Sequence, residues 1–210
     1  DGSLVGETVS IIGEEMLSGG LQGYLIEKTF ADEYGIKTFE DLEGNADAIA
    51  AYDATDANPN NGMVDIMGCP EDWTCDNIIN AQLAGAGYEK IVQVKAGYDP
   101  MWAQAVDMVS ECLPVISFTW TPSAYITQIR PGDNSYWLGM EYILDDSNPT
   151  GEEGGAEWDQ RPGVAAIGAD MCPAQNADGK CMIGGVAADI QAAANNDFLA
   201  ANPSAEELLK

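Results

Sequence analysis

The chain has 210 residues, 46% of them hydrophobic, which is enough to bury at least one core. Its 8 Lys and Arg against 35 Asp and Glu give a formal net charge of −27, so it repels phosphate backbones and anionic lipid headgroups, and we expect no nucleic-acid partner. Histidine is absent, which excludes Ser-His and Cys-His catalysis and imidazole metal sites, and we expect neither enzymatic activity nor a cofactor.

Strand-like and helix-like runs alternate through the first part of the chain. Thr38, with Asp41 three residues later, predicts an N-cap, and Asp99 followed by Pro100 predicts another. The alternation favours an α/β fold with parallel strands. The predicted elements, in order, are a strand at 24–26, a helix within 37–52, a helix from 76, a strand within 90–97, a helix within 98–113 and a buried strand at 113–120.

The order weakens between Asp145 and Met182, where Gly, Pro and acidic residues predict a long surface excursion. Farther on, Asn202 is predicted to cap a helix that starts at Pro203. Only about two turns of that helix are present, too few for independent stability, so we expect the chain to continue.

The five cysteines form two close pairs and one remainder. Cys69 and Cys75 are one pair, Cys172 and Cys181 the other, and Cys112 is left over. Disulfides in an oxidising compartment are one interpretation, and a tetrahedral zinc site is the other. The spacings C-x₅-C and C-x₈-C differ from the usual C-x₂₋₄-C, so we favour disulfides, with Cys112 as a buried free thiol.

The stretch "GCPEDWTC" places Trp73 inside a small cysteine loop, directly before a predicted helix. A Cys69–Cys75 disulfide would fix the ring together with the amides of Thr74 and Cys75, at a helix start where N–H groups lack intrahelical partners. Such a terminus holds a carboxylate or phosphate. The alternative is a stapled turn in which the tryptophan only packs.

The stretch "FTWTPSAY" ends a strand at Trp120, beyond which ligands bind in many α/β proteins. The alternative is a core tryptophan that caps the strand. Trp102, on the apolar face of its predicted helix, is most simply a core residue. Together, Trp73, Trp120 and the helix-terminal amides suit a zwitterion, because aromatic faces hold a quaternary ammonium by cation–π attraction and the amides meet its carboxylate.

Several stretches together resemble the substrate-binding proteins of glycine betaine/proline betaine ABC transporters. The combination of the "DWTC" loop with a "TWTP" strand end is the specific part of the resemblance. The stretches that carry it are "GYLIEKTFADEYGIKTFEDL", "GCPEDWTCDNIINAQL", "GYDPMWAQAVD", "PVISFTWTPSAY", "RPGDNSYWL" and "NNDFLAANPSAEELL".

The resemblance implies a two-lobed type II periplasmic binding-protein fold and extracytoplasmic delivery of an osmolyte to a membrane permease. Trp73 and Trp120 would be two walls of an aromatic box, and the Thr74 and Cys75 amides would bind the carboxylate. In the family's loop, glycines stand where this chain has Asp72 and Thr74. A third box tryptophan and a histidine would come from a first lobe upstream of residue 1.

The same resemblance implies a division of the chain. Residues 1–28 would be a crossover segment from the first lobe, and residues 29–183 the second lobe, with the excursion at 145–182. Residues 184–210 would cross back and begin a first-lobe helix.

Two weaker hypotheses concern function. The acidic stretch from Asp53 to Asp65 resembles a calcium loop, but its glycine comes one position late and the final glutamate is missing, so a polar turn is favoured. A thiol–disulfide redox protein is the alternative class, although the chain lacks C-x-x-C, and a non-catalytic acidic structural module is another.

Overall fold

The computed structural model describes residues 7–144 and 162–209. The chain forms two compact units: a central unit from Leu21 to Val186, and a terminal unit that combines the chain up to Gly20 with the chain from Ala187 onward. Among the described residues, no helix combines the length and the apolar character that a bilayer crossing requires.

The central unit is built on one mixed sheet with the strand order β3-β2-β4-β1-β5. β2 runs parallel to both β3 and β4, whereas β1 is antiparallel to β4 and β5. The expected α/β class is confirmed, and its parallel part comprises the three strands β3, β2 and β4. The strands are β1 (Val9–Glu27), β2 (Val64–Met67), β3 (Ile91–Val94), β4 (Ile116–Thr121) and β5 (Ser135–Leu138).

In the part of the central unit that the structure describes, five α-helices flank this sheet. Thr38 caps α2 as predicted, since its side chain accepts from the Asp41 N–H while Asp41 accepts from the Thr38 N–H. The predicted helix within 37–52 is two helices, because Gly44 ends the first and Asn45 caps the second. The helices are α1 (Lys28–Tyr34), α2 (Phe39–Glu43), α3 (Ala46–Asp53), α4 (Thr74–Ala86) and α5 (Tyr98–Ser110).

The start of α5 corrects one predicted cap. The helix begins at Tyr98 with Gly97 as its N-cap residue, so Asp99 lies inside the first turn instead of capping it. The Asp99 carboxylate accepts a hydrogen bond from the Tyr125 hydroxyl. Asp99 is therefore engaged by a side chain, and not by the backbone N–H groups that an N-cap serves.

A second, three-stranded sheet has the order β6-β8-β7 and contains part of the expected surface excursion. Its strands are β6 (Met140–Leu144), β7 (Val164–Ala165) and β8 (Cys181–Gly185). Residues 145–161 of the excursion lie outside the described residues. The part from 162 to 182 is partly packed: Ala165, Cys172 and Ala174 are buried, whereas residues 168–171 and 177–180 are exposed. A Cys172–Cys181 disulfide fastens it to β8.

Cysteine pairing agrees with the prediction, but the environment of Cys112 does not. Cys69 is bonded to Cys75 and Cys172 to Cys181, while Cys112 is free. The thiol expected to be buried is exposed, because Cys112 lies just beyond the last residues of α5, in the left-handed turn (φ 56°) that ends the helix.

The acidic stretch after α3 folds as a hydrogen-bonded turn. The Asp53 carboxylate accepts from the N–H groups of Asn61 and Gly62, and the Asp56 carboxylate accepts from those of Asn58 and Asp65. Burial, with the neighbouring Asp65 and Asp53 charges adding to it, raises the pKa of Asp56. The Asp53 and Asp56 carboxylates thus already have donors within the protein.

The terminal unit pairs the first part of β1 antiparallel with β9 (Ala188–Asn195), followed by α6 (Asn196–Ala201) and α7 (Pro203–Leu208). Pro203 starts α7 as predicted. Asn202 occupies the N-cap position but does not cap through its side chain, whose amide donates to the Phe198 carbonyl instead.

Candidate binding site

Three loops meet at one edge of the central sheet because three neighbouring strands run in parallel. β2, β3 and β4 all end at this edge, where ligands bind in open α/β sheets. The loop after β2 carries Trp73, the turn after β3 leads to Tyr98, and the last residues of β4 include Trp120. Side chains that lie far apart in the sequence are thereby brought together.

The loop after β2 is closed by the Cys69–Cys75 disulfide, whose Cα atoms are 6.0 Å apart. Trp73 is the N-cap residue of α4 and leaves 45% of its surface exposed. Asp72 adopts φ 72°, in the left-handed region that glycine enters at no steric cost. The glycine that the resemblance leads us to expect at this position would adopt the same conformation without strain.

An aromatic cluster of five rings occupies the edge: Trp73, Tyr98, Trp102, Trp120 and Tyr125. The ring centroids of Trp73 and Trp120 are 6.4 Å apart, and the planes are inclined by 59°. The Tyr98 ring contacts both, 5.8 Å from Trp73 in a nearly parallel stack and 4.9 Å from Trp120. The structure thus brings together the two tryptophans that the sequence singled out.

Tyr98 and Tyr125 belong to the cluster although sequence reasoning did not select them. Tyr98 is buried, its hydroxyl donates to the Phe118 carbonyl at 2.8 Å, and burial raises its pKa. Tyr125 is half-buried, with its ring 4.9 Å from Tyr98 and 5.7 Å from Trp120. Both lie in stretches already recognised, "GYDP" and "TPSAY", but nothing in the sequence orients their rings.

Trp102 forms the back of the cluster. It is buried, as the sequence predicted, and its indole N–H donates to the Gln128 side chain at 2.9 Å. Its ring lies 6.0 Å from Tyr98 and 5.2 Å from Tyr125. Trp102 therefore supports both tyrosines from the core.

The N-terminus of α4 directly follows Trp73. The Asp76 N–H donates to the Trp73 carbonyl, and the Trp73 side chain caps nothing. Within the described residues, the amides of Thr74 and Cys75 have no hydrogen-bond acceptor. Two free donors and the positive end of the α4 dipole therefore adjoin the Trp73 ring, an arrangement that suits an anion.

The buried Asp76 carboxylate in the first turn of α4 is neutralised by its neighbours. The Lys95 ammonium lies 2.8 Å from it, and the side-chain amides of Gln93 and Asn80 donate to it. Without this compensation, Asp76 would oppose the approach of an anion to the same helix end. No cluster of three or more His, Cys, Asp and Glu side chains arranged for a metal ion occurs in residues 7–144 and 162–209.

Known proteins similar to this chain are named for the small molecules that they bind. A "Glycine betaine/proline betaine-binding periplasmic protein" of Salmonella typhimurium is 34% identical over 127 residues, which are 60% of this chain and 37% of that protein. The Escherichia coli protein of the same name is 33% identical over the same shares. A solved "ABC-transporter choline binding protein in complex with choline" aligns with 97% of this chain and 52% of its own, at 14% identity and a TM-score of 0.46.

The match to these curated relatives thus covers well under half of their length. The family described as "Substrate binding domain of ABC-type glycine betaine transport system" matches residues 4–210, which is nearly the whole chain. The protein belongs to this family of substrate-binding domains.

Proposed function

We propose that the protein captures a small zwitterionic quaternary ammonium osmolyte, such as glycine betaine, and delivers it to the membrane permease of an ABC transporter without converting it chemically. Family membership supports this role. A periplasmic or otherwise extracytoplasmic location is supported by the names of the relatives and by the two disulfides, which persist in oxidising compartments.

One observation carries the proposal: the exposed Trp73 ring contacts a second tryptophan, and the next two amides along the chain have no acceptor among the described residues. In glycine betaine a single methylene joins the ammonium to the carboxylate, so the two groups need neighbouring subsites. Trp73 and Thr74 are consecutive residues and provide such neighbours. A quaternary ammonium donates no hydrogen bonds, and ring faces bind it at about 0.5–2 kcal/mol each.

Each site residue has a separate role in this proposal. Trp73 and Trp120 form two walls around the trimethylammonium group. The Thr74 and Cys75 amides bind the carboxylate. The Cys69–Cys75 disulfide holds the wall and the amides in one fixed arrangement, so that less conformational freedom is lost when the ligand binds.

The test replaces each wall with an apolar side chain that lacks a π face. We expect Trp73→Leu and Trp120→Leu each to weaken glycine betaine binding by the loss of one cation–π partner, about two- to thirtyfold. Isothermal titration calorimetry or tryptophan fluorescence with the full-length protein measures the dissociation constant.

Trp137→Leu is the matched control, because Trp137 is a buried tryptophan of β5 that lies outside the aromatic cluster. It should lower the melting temperature and leave the affinity nearly unchanged. Trp102 is less suitable, since its ring supports Tyr98 and Tyr125. A larger loss of affinity in Trp137→Leu than in both wall variants, or turnover in an insulin-reduction assay, would contradict the proposal.

A further inference from the structure

The aromatic cluster contains one hydrogen bond to a carboxylate. The Tyr125 hydroxyl donates to Oδ1 of Asp99, and this bond raises the pKa of Tyr125. Asp99 is exposed and lies in the first turn of α5, next to the buried Tyr98. The rings of Tyr98 and Trp120 flank Tyr125 at 4.9 and 5.7 Å. The negatively charged Asp99 carboxylate is thus hydrogen-bonded to a ring that contacts Trp120, one of the proposed walls of the cation site.

The hydrogen bond to this carboxylate makes the Tyr125 ring a better partner for a cation. A hydroxyl that donates to an anionic acceptor gains electron density on its oxygen and ring, because hydrogen-bonded groups polarise each other. A more electron-rich ring attracts a cation more strongly, since cation–π attraction is electrostatic.

The carboxylate also fixes the ring. Tyr125 lies in a short 3-10 turn, Tyr125–Thr127, outside the strands and α-helices of the central unit. Asp99 belongs to α5, which the buried Tyr98, Met101 and Trp102 pack against the core. The hydrogen bond therefore ties a turn residue to a rigid helix.

We propose that Asp99 is a positioning residue for the cationic group of the ligand, acting through Tyr125, whose ring it orients and makes more electron-rich. The inference rests on the proposed function, because it assigns a specificity role within the same site. It predicts that Asp99 distinguishes a ligand with a cationic head from one of the same shape without charge.

The experiment compares two ligands that differ only in that charge. Glycine betaine carries a trimethylammonium group, and 3,3-dimethylbutanoate has a neutral tert-butyl group in its place. Asp99→Asn keeps an oxygen acceptor for Tyr125 and removes the charge. We expect it to weaken glycine betaine binding about three- to tenfold in the full-length protein, while binding of 3,3-dimethylbutanoate stays unchanged or tightens.

The matched control is Asp107→Asn, which makes the same charge change on α5 about 12 Å farther along its axis and should leave both affinities unchanged. Tyr125→Phe should weaken glycine betaine binding to a similar extent as Asp99→Asn, and the double variant should lose little more than either single variant. That non-additivity is the sign that Asp99 acts through Tyr125.

The outcomes separate the two proposals. If the wild type binds glycine betaine and Asp99→Asn binds it equally well, the role of Asp99 is wrong and the proposed function stands. Equal weakening of both ligands by Asp99→Asn indicates a merely structural residue, and full additivity with Tyr125→Phe indicates action without Tyr125; either overturns the inference. If the wild type binds no quaternary ammonium compound at all, both proposals fail together.

Discussion

At the scale of single residues, the position of the loop after β2 depends on close backbone packing as well as on side-chain chemistry. Gly68 is buried where β2 ends, and a Cβ added there would lie 2.3 Å from the Gln93 side-chain oxygen and 2.9 Å from its Cβ. Gln93 cannot simply swing away, because its amide donates to the Asp76 carbonyl and carboxylate at the start of α4. Close approach of Gly68 to β3 therefore fixes where the Cys69–Cys75 loop begins.

Gly68→Ala should consequently lower the free energy of unfolding by about 1–3 kcal/mol, the usual cost of forcing extra volume into a packed site. Gly44→Ala is the matched control, since its backbone is right-handed helical and the added Cβ meets only the Glu40 carbonyl, at 3.4 Å. We expect that control to be neutral or slightly stabilising. Urea denaturation of both variants checks this, and equal effects at the two positions would show that the Gly68 contact is not tight.

Residue types alone selected part of the site. Trp73 and Trp120 stand out in the sequence because each ends a recognisable element, and the structure brings their rings together. Tyr98 and Tyr125 were not selected, since their rings are oriented by tertiary contacts, among them the hydrogen bonds to Phe118 and Asp99. Such contacts join segments about 20 to 26 residues apart, which local patterns do not report.

At the scale of elements, the predicted helix starts were correct where the cap depends on neighbouring residues and wrong where a distant contact is involved. The Thr38–Asp41 capping box involves only four consecutive residues, and the sequence predicted it correctly. The start of α5 was not predicted correctly. Tyr98 occupies its first helical position, and the Tyr98 hydroxyl donates to the Phe118 carbonyl of β4. Helix propensity favours Asp99 as the N-cap residue. The helix instead starts before that residue, at Tyr98, whose side chain makes the tertiary contact with Phe118.

The two disulfides allow an element-scale test of preorganisation. Each closes a short loop, with sequence separations of 6 and 9 residues, so each should contribute about 2–3 kcal/mol to the free energy of unfolding by restricting the unfolded chain. Only Cys69–Cys75 holds Trp73 and the α4 amides. We therefore expect Cys69→Ala/Cys75→Ala to lose both stability and glycine betaine affinity, the latter about tenfold or more.

Cys172→Ala/Cys181→Ala is the comparison, because it removes a disulfide of similar loop length that lies in a different sheet. It should lose stability to a comparable extent and keep its affinity. Denaturation curves and calorimetric titrations of the two double variants decide the matter. Equal affinities in the two would show that the first disulfide merely stabilises the fold.

For the whole molecule, the net charge is the property that follows most directly from the sequence. The net charge of −27 leaves most carboxylates without a basic partner, although Lys28, Lys95 and Arg130 do pair with Asp32, Asp76 and Asp133. Unpaired like charges repel each other and oppose the compact state. Composition alone gives this repulsion, but it does not tell which acids are buried. The burial of Asp53, Asp56 and Asp65, from the last residue of α3 to β2, emerges only from the fold.

The last prediction separates general screening from specific cation binding. Raising sodium chloride from about 0.02 M to 0.5 M shortens the Debye length severalfold, so we expect the melting temperature to rise by about 3–8 °C. Calcium chloride at the same ionic strength should add no more than about 2 °C, because the Asp53 and Asp56 carboxylates are already held by backbone N–H groups and ligand binding raises stability only when it is specific to the folded state. Calorimetric melting curves in the two salts measure both effects. If calcium raised the melting temperature by many degrees more than sodium does, the acidic turn would contain a calcium site. If the melting temperature did not respond to sodium, charge repulsion would not be a main limit on the stability of this fold.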